Sequence, residues 1–377
     1  MPEAALSKGL RNVYLDETEA SFIDGEKGIL LYRGYSIHDL APNCSFEEVA
    51  YLMLYGSLPS RSELNAFDAR LRNYRALPGP VVETIRIVAK SHPMDVLRTG
   101  VSSLSAFDPD TSEESPGALL SKSERLTAQV PSIVTAHHRI RNGLEPVTSR
   151  DDLGHAANFV WMLTGEEPSE EATSAMNLDF ILHCEHGANA SSFAARVTAS
   201  TLSDLHSDIV TAIGTLKGPL HGGAAESVMK MALEIGEPER AGEYVRERQR
   251  HRESRIMGFG HRVYKVEDPR ARHMRERSQA LSQRMGQAKW YDILEAVVQE
   301  MSRYQRHGIH VNVDFYAGSV YYLLGIPEDL FVPIFAIGRV PGWCASVIEQ
   351  LDHNVLIRPL LRYVGPRDLT YLPLERR

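Results

Sequence analysis

Apolar residues recur along most of the chain at the three- and four-residue spacing of amphipathic helices. Ser45 with Glu48, and Ser60 with Glu63, form capping-box signatures ahead of such apolar patterns, and Ser169 precedes another. Similar patterns predict helices over 151–164, 190–201, 206–216, 223–234, 239–254, 271–285, 288–304 and 316–324. The chain is therefore predicted to be all-α, with many helices.

Strand signals are weak, because alternating β-branched runs are few and no Asn-Gly or Asp-Gly turn joins two apolar segments. Segments 20–25 and 28–34 are the exception and predict one small hairpin. Residues 108–118 form the clearest polar loop, and a second polar hinge is expected near 235–239.

Length and composition limit the class of protein. The chain has 377 residues, more than the roughly 250–300 that a single hydrophobic core usually serves, so a large and a smaller domain are expected. Hydrophobic residues make up 43% and charged residues 24%, as in ordinary globular proteins. The net charge of −8 argues against a nucleic-acid partner, since such surfaces are basic.

The expected compartment is the cytoplasm. The amino terminus lacks the basic and apolar regions of a secretory signal, and no run is expected to reach the roughly 18–20 apolar residues that cross a membrane. Cys44, Cys184 and Cys344 are too few and too scattered for a disulfide framework or a thiolate zinc site.

Three short segments each present one titratable side chain on a turn. They are Gly-Pro-Leu-His-Gly-Gly with His221, Gly-Phe-Gly-His-Arg with His261, and Asn-Val-Asp-Phe-Tyr with Asp314. An aspartate can remove a proton, and histidines can donate hydrogen bonds to oxygens on which charge develops. The three residues are therefore candidates for proton transfer at carbon.

Each segment also has a simpler interpretation. The turn at His221 could only cap a helix, and it lacks the Lys-Ser/Thr ending of a P-loop. The segment at His261 could be a solvated basic loop, although its arginines would equally suit an anion; it lacks the third glycine of a dinucleotide fingerprint. Asp314 could be a helix N-cap, but its apolar neighbours would also raise its pKa toward that of a general base.

Other histidines and arginines also have two interpretations. His183 and His186 could hold a metal, but they lack the His-Glu-x-x-His order and a third ligand, so His186 is better suited to a ligand oxygen. Arg339 and Arg358 stand in apolar sequence and need a carboxylate from the protein or from a ligand. The histidines expected on exposed helix faces are His137, His138 and His206.

Taken together, the motifs resemble the citrate synthase family, including its 2-methylcitrate synthase members. The resemblance covers nearly the whole chain. Its motifs are Phe22-Ile23-Asp24-Gly25, Ser91-His92-Pro93-Met94, His183-x-x-His186-Gly187-x-Asn189, the His221 and His261 segments with Asp268-Pro269-Arg270, the Asp314 segment, and Ile357-Arg358-Pro359.

The resemblance implies a mostly helical, two-domain homodimer. The large domain would comprise 1–221 and 321–377, and an inserted small domain, 222–320, would close over substrate. His221, His261 and Asp314 match the family's catalytic residues. The residues that match its oxaloacetate-binding set are His186, Arg270, Arg339 and Arg358, of which Arg358 would reach the partner subunit's site. Arg262 and Lys265, in the loop 257–265, are expected to contact coenzyme A.

The implied reaction condenses acetyl-coenzyme A with oxaloacetate and water to give citrate and coenzyme A. Asp314 would be the base, His221 the enol stabiliser and His261 the acid, with no metal and no cofactor. A 2-methylcitrate synthase that uses propionyl-coenzyme A, or an enzyme of dual specificity, is the alternative. The family commonly has an asparagine where this chain has Ala225, and often an arginine where it has Val355; neither belongs to the catalytic set.

Overall fold

The protein is mostly helical, as predicted. The structure, a computed structural model, describes residues 6–10, 12–250 and 256–377. Within these ranges the α-helices are α1 (Ile37–Asn43), α2 (Phe46–Tyr55), α3 (Arg61–Tyr74), α4 (Gly79–Ile87), α5 (Pro93–Leu104), α6 (Pro116–Arg141), α7 (His155–Thr164), α8 (Glu170–His183), α9 (Ala190–Ala199), α10 (Leu205–Leu216), α11 (Ala224–Ile235), α12 (Ala241–Arg250), α13 (Ala271–Arg284), α14 (Ala288–Met301), α15 (Asp314–Leu323) and α16 (Phe331–Asp352).

Local capping explains where several helices begin. The Ser45 side chain accepts from the backbone N–H of Glu48, whose carboxylate accepts in return from the N–H of Ser45 at 2.7 Å. Ser60 and Glu63 make the same reciprocal pair at the start of α3, and Ser169 caps α8. These predicted starts are confirmed because a capping box satisfies free N–H groups with neighbours in sequence alone.

Most predicted helices lie within a few residues of the observed ones. The predicted 288–304 segment is α14 followed by a 3₁₀ helix, Ser302–His307. In the predicted 239–254 segment, α12 follows a 3₁₀ turn at Pro238–Arg240, and residues 251–254 lie outside the described residues. The polar loop predicted over 108–118 ends early because Pro116 begins α6; proline suits the first turn of a helix, which needs no N–H.

The predicted hairpin is confirmed and carries a third strand that the pattern did not predict. β1 (Ser21–Asp24) pairs antiparallel with β2 (Ile29–Tyr32), and β2 pairs with β3 (Tyr35–Ser36). β3 has only two residues, too few for any alternation of polar and apolar side chains to be visible.

Helix α16 runs through the hydrophobic core and packs on α2, α6, α8, α9 and α10. Segment Glu328–Asp352, which includes α16, is long enough and apolar enough to cross a membrane, with a mean hydropathy of 1.5. The expectation that no such stretch exists is therefore wrong. The most apolar part of this segment is 94% buried inside the protein, which is typical of a central core helix.

Backbone contacts join the loop that carries His261 to the segment before α15. Gly260 N–H donates to the His310 carbonyl at 2.8 Å, and Asn312 N–H donates to the Gly258 carbonyl at 3.0 Å. Gly258 has φ +78°, and a Cβ there would lie 2.5 Å from the Phe315 ring. Glycine is required at this position on both counts, and the pairing brings the two predicted site segments side by side.

Candidate functional site

His221 follows α10 and is held by the start of α9. Its Nε2 accepts from the backbone N–H of Ser191 at 3.2 Å and lies 2.9 Å from the Ser191 hydroxyl. That hydroxyl accepts from the indole N–H of Trp343 at 3.0 Å. Burial lowers the pKa of His221 to about 4. The imidazole is therefore neutral at ordinary pH, and with Nε2 accepting, the proton resides on Nδ1.

His261 is held in the opposite tautomer. Its Nδ1 accepts from the backbone N–H groups of Val263 at 3.0 Å and Tyr264 at 3.2 Å. Burial, aided by the positive charge of Arg270, lowers the pKa of His261 to about 4. The ring is neutral with its proton on Nε2, which makes no hydrogen bond within the described part of the chain.

His186 lies against the His261 ring, with the ring centroids 5.0 Å apart. Its Nε2 is 3.1 Å from the Tyr264 hydroxyl. The side chain is buried, and desolvation holds its pKa well below the ordinary value. Tyr264 thus supports both imidazoles, through its backbone N–H to His261 and through its hydroxyl to His186.

Asp314 is the first residue of α15, and its side chain is half-buried. Val313 occupies the N-cap position, so the N-cap interpretation of Asp314 is wrong. Among the described residues its carboxylate has no hydrogen-bond partner. Desolvation raises its pKa, opposed by the nearby positive charges of Arg270 and Arg339. A partly buried carboxyl with a raised pKa and no partner is suited to accept a proton.

Two of the predicted arginines lie at this site. Arg270 is paired with Asp268, Nη2 to Oδ2 at 2.7 Å, and both residues are buried. Arg339 is 1% exposed, donates from Nε to the His183 carbonyl, and stacks over the Phe335 ring with 4.7 Å from Cζ to the centroid. Its Nη1 is buried without a hydrogen-bond partner among the described residues.

The other predicted ligand-binding residues, Arg262, Lys265 and Arg358, are exposed. Arg358 lies exposed on the tail beyond α16. Arg262 is exposed and donates to the Gly9 carbonyl at 2.9 Å. The Lys265 side chain is exposed near His261, whose pKa its charge helps to lower.

The expected exposure of the remaining histidines is partly wrong. His137 and His206 are each 1% exposed, and His138 is half-buried. His137 Nε2 lies 2.9 Å from the Ala89 carbonyl oxygen, and this hydrogen bond compensates for burying the ring. His183 Nδ1 is bound to Asp179, and the described ranges contain no metal-binding cluster of three or more His, Cys, Asp or Glu residues.

Sequence reasoning missed the residues that support the site. Ser191 and Trp343 orient His221, Tyr264 orients His261 and His186, and Asp268 pairs with Arg270. Asp268, two positions before an arginine in a quoted motif, could have been recognised from the sequence. Tyr264 is only three residues from His261, but its bond to His186 and the bonds of Ser191 and Trp343 join residues 30 or more positions apart, which no local pattern reveals.

Comparisons with known proteins show the family. The family model described as citrate synthase, C-terminal domain, matches residues 9–360. Citrate synthase 2 of Bacillus subtilis is 46% identical over 376 residues, 98% of this chain and 99% of that protein. The 2-methylcitrate synthase 1 of Corynebacterium glutamicum is 42% identical over 383 residues, 100% of both chains.

A solved structure is similar throughout. Citrate synthase from Thermoplasma acidophilum, in a ternary complex with carboxymethyl coenzyme A and oxaloacetate, aligns with a TM-score of 0.94 at 32% identity over 98% of this chain and 99% of that one. The fold and these matches define an all-α acyltransferase that forms carbon–carbon bonds. The chain belongs to the citrate synthase family.

Proposed function

We propose that the protein is a citrate synthase that condenses acetyl-coenzyme A with oxaloacetate and water to give citrate and coenzyme A. Asp314 is the base, His221 stabilises the enol and His261 is the acid. The observation that carries this assignment is the pair of fixed tautomers beside an unpartnered carboxyl. Backbone N–H groups hold Nε2 of His221 and Nδ1 of His261 as acceptors, which leaves each ring one free N–H donor.

The chemistry needs these donors. A thioester methyl proton is far less acidic than a carboxylic acid, so Asp314 alone cannot remove it at a useful rate. Nδ1–H of His221 donates to the thioester oxygen as the enol forms; one such donor is typically worth about 3–4 kcal/mol. The enol carbon then bonds to the ketone carbon of oxaloacetate while Nε2–H of His261 protonates the ketone oxygen. Water finally cleaves the citryl thioester.

The arginines suit a dicarboxylate. The charge of Arg270 is already offset by Asp268, whereas no carboxylate lies within the 4.0 Å ion-pair distance of Arg339 among the described residues. A buried guanidinium with an unused Nη1 is costly until an anion pairs with it. We assign Arg339, Arg270 and His186 to oxaloacetate, with Arg358 supplied by a partner subunit.

The tail beyond α16 supports a homodimer. It is attached to its own chain by Ile357 N–H donating to the Ser200 hydroxyl at 3.1 Å and by Asn354 Nδ2 donating to the Ser200 carbonyl. Its large apolar side chains are exposed: Val355, Leu356, Leu360, Leu361, Tyr363, Val364, Leu369, Tyr371, Leu372 and Leu374. So many exposed apolar side chains on one segment suit contact with a second subunit, onto which the tail would carry Arg358.

The proposal also includes the domain movement, the coenzyme A contacts and the compartment. The small domain, 222–320, closes on the large domain, 1–221 with 321–377; the second boundary falls within α15. Arg262 and Lys265 contact coenzyme A, for which Arg262 would have to leave the Gly9 carbonyl. The enzyme works in the cytoplasm without a metal or other cofactor, and its cysteines Cys44, Cys184 and Cys344 are free thiols.

Comparing acetyl- with propionyl-coenzyme A as substrates tests which acyl group the enzyme prefers. Relatives of this chain are named both citrate synthase and 2-methylcitrate synthase, and one methyl group is worth only about 1–3 kcal/mol of discrimination. Thiol release would be measured with oxaloacetate and either acetyl- or propionyl-coenzyme A. We expect the higher kcat/KM with acetyl-coenzyme A. A higher value with propionyl-coenzyme A would make the protein a 2-methylcitrate synthase, and similar values a dual-specificity enzyme.

A further inference from the structure

Glu185 is a buried acid next to the proposed oxaloacetate site. Its side chain is 1% exposed. Oε1 accepts from the Ser21 hydroxyl at 3.3 Å, while Oε2 is buried without a hydrogen-bond partner among the described residues. A Cβ on Gly342 would lie 2.7 Å from Oε2, so α16 approaches the carboxylate closely. The mechanism proposed above makes no use of this acid.

Glu185 and Arg339 are each other's main charged neighbour. Glu185 is the first charge that acts on the pKa of Arg339, and Arg339 is the first that acts on the pKa of Glu185. The two groups are not within 4.0 Å of each other, so Arg339 keeps Nη1 unpartnered. Burial raises the pKa of Glu185 to about 7, with Arg339 opposing the rise.

The other groups that face Glu185 do not titrate near neutral pH or are already paired. Tyr32 of β2, whose hydroxyl accepts from the Glu185 N–H at 3.3 Å, and Cys184 both have pKa values raised further by burial. Glu349 of α16 is tied to Arg196 at 2.7 Å. Glu185 is therefore the group beside Arg339 whose charge can change.

We propose that Glu185 is a positioning residue that couples proton uptake to dicarboxylate binding at Arg339. It is ionised while Arg339 has no ligand, and it takes up a proton when a substrate carboxylate docks there. The proposal rests on the assignment of Arg339 to oxaloacetate.

Charge balance is the physical reason. Oxaloacetate brings two negative charges, while the charge of Arg270 is already offset by Asp268. Arg339 and Arg358 of the partner subunit therefore neutralise the substrate between them. An ionised Glu185 would then be a buried anion without a counter-charge, which is costly where water is excluded. Protonation removes that cost.

Calorimetric titration of oxaloacetate into the dimer, without acyl-coenzyme A, tests the proposal. At pH 8, in buffers of different ionisation enthalpy, we expect uptake of about one proton per site. The affinity should fall by about tenfold per pH unit above roughly pH 7. Glu185→Gln, which keeps the shape but cannot ionise, should bind without proton uptake and with an affinity that is nearly constant from pH 7 to 9.

A matched control is Asp314→Asn, since Asp314 is the other acid near the site with a raised pKa; it should keep the uptake. Ser21→Ala removes a hydrogen bond that lowers the pKa of Glu185, so the pH dependence should shift to higher pH even if Glu185→Gln does not fold. Persistent uptake in Glu185→Gln, an unshifted profile in Ser21→Ala, or no uptake in the wild type would overturn the proposal. A wild type that does not bind oxaloacetate would overturn the proposed function as well.

Discussion

At the scale of single residues, the proposed chemistry depends most on Asp314. Its carboxyl has no hydrogen-bond partner among the described residues, and desolvation raises its pKa. Asp314→Asn should therefore lower kcat by about 10²–10⁴-fold, the usual contribution of a general base. It should also abolish exchange of the acyl methyl protons with deuterated solvent, measured by NMR. Oxaloacetate affinity should stay nearly intact, because the arginines are unchanged.

The outcome separates a base from a structural acid. Retained methyl exchange in Asp314→Asn would rule out the assignment. Asp292→Asn is a suitable control, since this acidic side chain lies on α14 outside the site and its replacement should leave exchange unchanged.

The sequence is enough to identify the proposed catalytic residues, but not their protonation. His221, His261 and Asp314 stand out in the sequence because glycines or a helix start isolate them in short motifs. Their protonation could not be predicted, because it depends on the Ser191 and Val263 N–H groups, and for His221 the donor is remote in sequence. Asp314 resembles an N-cap in the sequence, but the helix begins one residue earlier than that interpretation requires, with Val313 at the N-cap.

At the scale of secondary-structure elements, the capping box of α3 can be tested by mutation. The Ser60 hydroxyl accepts from the Glu63 N–H at 3.3 Å and donates to its carboxylate at 2.6 Å. Ser60→Ala should lower the free energy of unfolding by about 1 kcal/mol, with kcat and KM unchanged. Urea unfolding and thiol release measure the two effects. Ser62→Ala removes a hydroxyl that lies 3.2 Å from the Ser60 hydroxyl but keeps both bonds between Ser60 and Glu63, so it should cost less; an equal loss would show that the cap contributes nothing specific.

Helices can be predicted from sequence where the residues that specify them are close together in the chain. Capping residues and apolar spacing lie within one turn of each other, so most helices were predicted within a few residues. The core position of α16 and the burial of His137 and His206 depend on which helices pack together. No spacing within one element reports that packing, and these features had to come from the structure.

At the scale of the whole molecule, the proposed dimer predicts complementation between defective subunits. Arg358→Leu should raise the KM for oxaloacetate, because one carboxylate loses its cation. A mixed dimer of Arg358→Leu with Asp314→Asn should regain about half of the wild-type activity if Arg358 acts in the partner's site, since one of the two sites is then intact. Thiol release after co-refolding or co-expression measures this. Without restored activity, Arg358 would act within its own subunit.

One buried acid, Asp208, should make the stability of the chain depend on pH. Asp208 of α10 is 0% exposed, and both of its oxygens lack a hydrogen-bond partner among the described residues. Burial raises its pKa from 3.8 to about 8. Between these values the folded chain binds a proton that the unfolded chain lacks, so the contribution of Asp208 to stability falls as pH rises through this range.

Asp208→Asn should therefore stabilise the protein, because the amide has the same shape and no charge to lose. We expect a gain of about 1–3 kcal/mol near pH 8, the usual cost of an unsatisfied buried group, shrinking toward pH 4. Asp292→Asn is the matched control: Asp292 is an exposed acid on α14, so the effect of its replacement should be small. Urea unfolding at pH 5 and pH 8, at one protein concentration, gives both values. Destabilisation by Asp208→Asn at pH 8 would mean that the folded state uses the charge, with the ammonium of Lys122, also 0% exposed, as its counter-ion.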